Sequence, residues 1–190
     1  AIRNGVKVAL ELHPQNIVFN TADVYKLIEL TGMPENPETL SQYYETMSGM
    51  ISEDNLESNS YIGASNVNAF RPIIAKKLGI EETVLTRIIS PYEAIYTVAD
   101  HTRTLLFAIA DGSLPSNVGG GYNLRIILRR ALSILERAGW KNIKLEDITD
   151  SHIDYLRLIY PELEEHRQDV KTILRIESQR YLGARERTNA

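Results

Sequence analysis

The chain has 190 residues, 43% of them hydrophobic, and its 21 basic and 25 acidic residues give a formal net charge of −4. This composition suffices for one substantial core or two small ones, and it excludes a polycation that binds nucleic acid over its whole surface. Cysteine is absent, so disulfides and thiolate metal sites are excluded, and no run of about 18 apolar residues could span a bilayer. We therefore expect a folded cytoplasmic protein with no membrane partner, in which any nucleic-acid site is local.

The first third of the chain shows helix signals and almost no strand alternation. Thr21 can cap a first helix, which ends at Gly32 and has apolar residues at helical spacing: Val24, Leu27, Ile28 and Leu30. A second helix begins at Pro37 or Glu38 and reaches about Met50. The polar stretch 52–66 has no clear periodicity and predicts a long loop.

Two short helices follow. Pro72 predicts the start of the first, which ends near Gly79, and the second covers about 81–89.

The best helix signal is a capping box formed by Ser90, Pro91 and Glu93. The serine hydroxyl can accept from an early amide, the glutamate can return the contact, and proline suits the first helical position. This box predicts a helix over 91–111 that ends at Gly112. Its apolar face has helical spacing and consists of Ile95, Val98, Thr102, Leu105, Leu106 and Ile109.

A glycine-rich loop and a basic helix come next. Three glycines and a proline in 114–121 favour an irregular loop, and a helix then covers about 122–138 and stops at Gly139. Leu124, Ile127, Leu128, Ala131 and Leu135 form its apolar stripe, which leaves Arg125 and Arg129 one turn apart on another face. Helix, glycine loop and helix therefore form a hairpin.

The tail over 161–187 predicts one long charged helix. Together these signals predict an all-α fold, an irregular helical bundle around the helix–glycine loop–helix hairpin. Residues 1–90 and 91–190 are expected to be two helical regions or one continuous domain.

Motifs for most kinds of chemistry are missing. His13, His101, His152 and His166 lack the spacing of metal ligands, so we expect no metal site, and no hydrolase, nucleotide-phosphate or dinucleotide motif occurs. Gly119, Gly120 and Gly121 precede a helix and could cradle an anion through free amides and the helix dipole. A flexible turn is the alternative, and composition alone favours it.

Arginines cluster in the basic helix at Arg125, Arg129, Arg130 and Arg137. They could clamp phosphates beside the glycine loop, or they could be a solvated face paired with acids such as Glu136. Asn117 can donate and accept at once, so it could read base edges in the shallow minor groove of A-form RNA.

These residues lie in ordered sequence elements that resemble archaeal-type alanyl-tRNA synthetases. The elements are VADHTR (98–103), ADGSLPSN (110–117), GYNLR (121–125) and RRA (129–131). Family members often carry basic residues where this chain has Gly120 and Ile126.

The resemblance implies a class II synthetase whose helical middle domain recognises a G·U wobble pair in the acceptor stem of alanine tRNA. It makes Asn117 the candidate base reader and Arg125, Arg129 and Arg130 the phosphate contacts. Gly119, Tyr122 and Asn123 would complete the tRNA-binding set. Asp100, His101 and Arg103 are expected to be a structural polar cluster.

The resemblance also implies a longer parent enzyme that ligates alanine to its tRNA with ATP. The sites for ATP and magnesium would lie before residue 1, and a zinc-binding editing domain would follow Ala190. This piece would then hold no cofactor, pack against the remaining domains of the parent and be inactive alone. The alternative is a non-catalytic helical scaffold, or a synthetase-like paralogue, that serves protein–protein contact.

Overall fold

A computed structural model describes residues 21–34, 38–58 and 67–189. Within these ranges there are eight helices and no strand, which confirms the all-α prediction. The helices are α1 (Thr21–Thr31), α2 (Glu38–Ser58), α3 (Val67–Leu78), α4 (Glu82–Ala110), α5 (Gly119–Arg137), α6 (Leu145–Leu156), α7 (Glu162–Glu165) and α8 (Arg167–Asn189). None of them is long and apolar enough to cross a membrane.

The centre of the bundle is α4, which contacts each of the other seven helices. Its buried face repeats every three or four residues and confirms the predicted apolar spacing. That face consists of Leu85, Ile89, Tyr92, Ile95, Val98, Ala99, His101, Thr102, Leu105, Leu106 and Ile109.

The predicted helix start at Ser90 is wrong, because α4 runs without interruption from Glu82 through Pro91 to Ala110. Proline inside a helix removes one backbone hydrogen bond and costs about 3 kcal/mol. Ile89 and Tyr92 on either side of it are both buried, and burying one large apolar side chain contributes about 1.5–3 kcal/mol. Packing against the surrounding helices therefore outweighs the local signal.

The first two helices start where the sequence predicts, whereas the third starts earlier. α1 buries Val24, Leu27 and Ile28 as predicted, although Leu30 is exposed. α3 begins at Val67 rather than Pro72, so a second proline lies inside a helix.

α2 extends to Ser58, so the predicted loop over 52–66 is wrong at least as far as residue 58. Residues 59–66, like Pro37 and His13, lie outside the described residues. The glutamates of 52–58 have good helix propensity, which a composition-based loop prediction underweights.

The hairpin is confirmed, with α4 and α5 as its arms. Gly112 ends α4 at φ +87, and the amide of Ser113 donates to the carbonyl of Ala108 at 2.9 Å. This left-handed closure suits glycine. α5 buries Leu124, Leu128, Ala131 and Leu135, while Ile127 is half-buried.

The tail is not one helix, because it breaks at His166 between α7 and α8. Arg167 lies at this break and binds carboxylates of Asp150, Asp154 and Glu164. These contacts join α6, α7 and α8, so a long-range ion-pair network accompanies a break that local periodicity does not reveal. The sequence prediction also missed α6.

Candidate nucleic-acid interface

A short loop, 113–118, joins the hairpin arms and is fastened to the first turn of α5. The amide of Ser116 donates to the carbonyl of Gly121 at 2.9 Å, and the Ser116 hydroxyl donates to the carbonyl of Val118 at 2.9 Å. A Cβ atom on Gly121 would lie 2.4 Å from the Leu114 carbonyl oxygen. Only glycine therefore allows the loop to approach α5 this closely.

The glycine run is the first turn of α5 rather than part of a free loop. α5 begins at Gly119, three residues earlier than predicted, and Gly119 has φ +57. The residue before it, Val118, provides no side-chain cap. The amides of the first turn are therefore uncapped by a side chain, and the positive end of the helix dipole lies in an exposed segment.

Asn117 lies in this loop with its side chain exposed. Its Oδ1 atom accepts a hydrogen bond from Nη1 of Arg125, in the second turn of α5. The structure therefore brings the candidate base reader and one candidate phosphate contact together as a pair.

The outer face of α5 is basic and partly apolar. Arg129 and Arg130 are exposed, and neither forms an ion pair or hydrogen bond with any described residue. Tyr122 and Ile126 are exposed at neighbouring positions, and Asn123 is exposed as well. Glu136, the acid that could have neutralised these arginines, instead binds Arg185 of α8 at 2.8 Å. We call Tyr122, Ile126, Arg129 and Arg130 the α5 outer face.

The contact of Glu136 with α8 was not expected from the sequence. The Tyr181 hydroxyl donates to Glu136 at 3.4 Å, and Arg185 donates to the Tyr181 hydroxyl at 3.1 Å. The hydrogen bond to Tyr181 and the nearby Glu136 carboxylate raise the pKa of Arg185 above its ordinary value. Glu136 and Arg185 are 49 positions apart, so no local pattern could have identified the pair.

The polar cluster on α4 is built differently. His101 is buried, with Nδ1 3.6 Å from Oδ2 of Asp100, and the Arg103 guanidinium lies 5.9 Å from the centre of the Phe107 ring. Next to them, Oγ1 of Thr102 and Nε2 of His152 are 2.9 Å apart. A structural role for Asp100, His101 and Arg103 stays a prediction, and these contacts are compatible with it.

Among the described residues, no three His, Asp or Glu side chains converge as a metal site requires.

Comparison with known proteins decides the family. A family model described as tRNA synthetases class II (A) matches residues 12–188. The alanine–tRNA ligase of Nitrosopumilus maritimus is 41% identical over 156 residues, which is 82% of this chain. The chain belongs to the alanyl-tRNA synthetase family. The alanine–tRNA ligases of Cenarchaeum symbiosum and Methanothermobacter thermautotrophicus are 42% and 36% identical, over 85% and 83% of the chain.

These matches cover most of the chain but only a small part of its relatives. The aligned segment is 16%, 17% and 16% of the three ligases, respectively, so the chain spans about one sixth of the length of these synthetases. The archaeal type inferred from the hairpin elements is confirmed.

Proposed function

We propose that this chain supplies acceptor-stem recognition to a synthetase that ligates alanine to its tRNA with ATP, and that it reads the G·U wobble pair. The observation that supports this most is the pair of exposed arginines, Arg129 and Arg130, without acidic partners among the described residues. The chain has net charge −4, so an uncompensated basic face is a local feature. Such a face attracts phosphates.

Each feature of the hairpin then has one role. Arg129 and Arg130 hold backbone phosphates, the uncapped turn at Gly119 faces another phosphate, and Asn117 reads a base edge. Gly119 and Arg129 are ten residues apart on α5, which corresponds to about 15 Å along the helix axis. They therefore contact different phosphates, with Tyr122 and Asn123 between them.

The catalytic chemistry belongs to other parts of a protein of the relatives' length. ATP and magnesium would serve alanine activation there, and zinc would serve editing. The chain alone should therefore aminoacylate nothing. Cytoplasmic location and the division into regions 1–90 and 91–190 stay predictions.

The direct test is a titration of the chain with an RNA duplex that mimics the alanine acceptor stem. One duplex carries the G·U pair and a second carries a Watson–Crick pair at that position. We expect tighter binding to the G·U duplex, and a logarithmic affinity that falls linearly with the logarithm of salt concentration. Equal affinity for both duplexes, or no binding, would contradict the proposal.

Arg87→Ala is a matched control for arginine variants in this assay. Arg87 is an exposed arginine on α4 with no hydrogen bond or ion pair to a described residue, so it tests for a general charge effect. We expect its RNA affinity to equal that of the unchanged chain.

One observation favours a second role in protein contact. Leu158 and Ile159, between α6 and α7, are 90% and 70% exposed, and Tyr155 next to them is also exposed. An apolar cluster of this kind marks interaction surfaces. We propose that another part of a synthetase of the relatives' length packs here. Leu158→Ser should leave RNA binding by this chain unchanged and should weaken the stability of the longer protein; no change in the latter would contradict this role.

A further inference from the structure

We infer that Arg125 is a positioning residue, which turns the side-chain amide of Asn117 so that its NH2 group faces bound RNA. This inference rests on the proposed function, since it concerns how the same interface reads a base. It changes the role of Arg125 from a phosphate contact to a residue that acts through Asn117.

Hydrogen-bond chemistry fixes the orientation of the amide. A guanidinium has only donors, so the Asn117 atom that faces Arg125 must be the oxygen. This removes the usual ambiguity between the oxygen and nitrogen of an asparagine side chain. With its oxygen bound to Arg125, Asn117 offers two N–H donors to a ligand.

The backbone around Asn117 is also held in place. Ser116 is bonded to the Gly121 carbonyl, and Tyr122 donates from its amide to the Val118 carbonyl at 3.3 Å. The residues on both sides of Asn117 are therefore tied to the first turn of α5. Arg125 also holds the Asn117 side chain by a hydrogen bond. Less conformational entropy is therefore lost when the amide is ordered on RNA binding.

The surroundings of the three arginines differ in the way this inference requires. Arg125 is half-buried and already bound to Asn117, whereas Arg129 and Arg130 are exposed and unpaired among the described residues. The last two can therefore take phosphates without breaking an existing contact.

The orientation predicts which base groups Asn117 reads. Outward donors pair with acceptors, and in the minor groove those are pyrimidine O2 and purine N3. They cannot pair with the guanine amino group, which is itself a donor, and the acceptors that they reach also occur in Watson–Crick pairs. The amide therefore distinguishes the G·U pair by position, since the wobble displaces the uracil and its O2 relative to a Watson–Crick pyrimidine.

The first experiment compares Arg125→Ala, Asn117→Ala and Arg129→Ala in titrations with the G·U and Watson–Crick duplexes. One hydrogen bond supports about a two- to tenfold difference in affinity between the G·U and Watson–Crick duplexes. We expect Arg125→Ala and Asn117→Ala to lose a preference of that size. Arg129→Ala should weaken binding to both duplexes equally. Arg125→Lys, which can still donate a hydrogen bond to Asn117, should retain part of the preference for the G·U duplex.

Asn117→Asp is the matched control for polarity. The carboxylate can still accept from Arg125 but has no donor for RNA. We expect this variant to keep the loop contact and lose the preference for the G·U duplex. A retained preference would overturn the claim that the NH2 group does the reading.

An RNA-free measurement tests the geometry separately. The NH2 resonances of Asn117, assigned by their absence in Asn117→Ala, should shift in Arg125→Ala and stay in place in Arg129→Ala. Unchanged resonances in Arg125→Ala would overturn the contact.

The outcomes separate this inference from the proposed function. Equal binding of both duplexes by the unchanged chain contradicts the proposed function. A different result contradicts only the positioning role: Arg125→Ala keeps the preference of the unchanged chain for the G·U duplex, but binds both duplexes more weakly. The slope of its salt dependence would then be smaller by about one.

Discussion

Arginine has opposite surroundings in two parts of this molecule. Arg71 on α3 has a side chain that is 12% exposed, and its Nη2 lies 2.7 Å from Oε1 of Glu93 on α4. Arg129 and Arg130 are exposed and face no described acid. The first arginine joins helices and the other two leave their charge available. The comparison teaches that the acid opposite an arginine, rather than the arginine itself, decides whether a basic residue is structural.

The pKa shifts around Arg71 describe a structural cluster. Burial lowers the pKa of Arg71, but the Glu93 carboxylate and the neighbouring Tyr43 raise it, so the net shift is upward. Burial also raises the pKa of Tyr44, whose ring lies 5.1 Å from that of Tyr43. The cluster therefore keeps its arginine charged and its tyrosines neutral across the physiological range.

The largest effect should come from breaking the structural pair. Arg71→Ala leaves the Glu93 carboxylate without its partner, and losing one member of a fully buried pair costs about 3–5 kcal/mol. Because the Glu93 side chain is 36% exposed, the penalty should be smaller than for a fully buried pair. We expect Arg71→Ala to lower the free energy of unfolding by roughly 2–3 kcal/mol. Urea unfolding measures this, with Arg87→Ala as the control that should stay within about 0.5 kcal/mol.

The reverse pattern is expected on the α5 outer face. Arg129→Ala combined with Arg130→Ala should leave stability within about 0.5 kcal/mol and lower affinity for acceptor-stem RNA on the order of a hundredfold. The reason is that each arginine would lose its proposed phosphate contact, while it has no hydrogen bond or ion pair with a described residue. Fluorescence anisotropy at several salt concentrations checks both the affinity and its slope. A large stability loss with unchanged binding would reverse the comparison.

Gly121→Ala tests whether the loop must lie against α5. The new Cβ would clash with the Leu114 carbonyl and with the Ser116 hydroxyl, each at 2.4 Å, and overpacking of this kind costs about 1–3 kcal/mol. Discrimination between the duplexes should fall as Asn117 moves. Gly120→Ala is the matched control, since its Cβ meets no atom within 4 Å. Thermal unfolding should show no loss for that variant, and equal losses for both would contradict the account.

The smallest effect is expected at Tyr44, whose hydroxyl is buried without a hydrogen-bond partner among the described residues. Tyr44→Phe should change stability at neutral pH by less than about 1 kcal/mol. The folded state holds the Tyr44 proton more tightly than the unfolded chain does, so stability is full below about pH 10 and falls as pH rises above it. Unfolding at about pH 8 and about pH 11 should show a smaller alkaline loss in Tyr44→Phe. An identical loss in both proteins would contradict this assignment.

Helix periodicity and glycine terminators were enough to predict the hairpin. The stripe of Leu124, Leu128, Ala131 and Leu135 and the stop at Gly112 both depend on local rules that the structure follows. Local rules were misleading at Pro91, where burial on both sides of the proline overrides its preference for a helix start. α6 escaped prediction because Asp, Thr, Ser and His, with modest helix propensity, interrupt its apolar stripe.

The site could be predicted only in part, for a related reason. The arginines and Asn117 stood out by residue type and by resemblance, but their partners did not. Arg125 binds Asn117 eight residues away across a turn, and Glu136 is taken by Arg185 of another helix. Which charges are left free depends on tertiary contacts, which composition and spacing do not contain.

The central claim is that RNA binds along the loop 113–118 and the α5 outer face. The most direct measurement is a map of backbone amide shifts while the chain is titrated with the G·U acceptor-stem duplex. We predict that the shifts concentrate between residues 114 and 130 and shrink in the Arg129 and Arg130 variants. Shifts centred instead on the open groove between α2 and α4, which Leu40, Tyr44 and Tyr96 line, would contradict the claim.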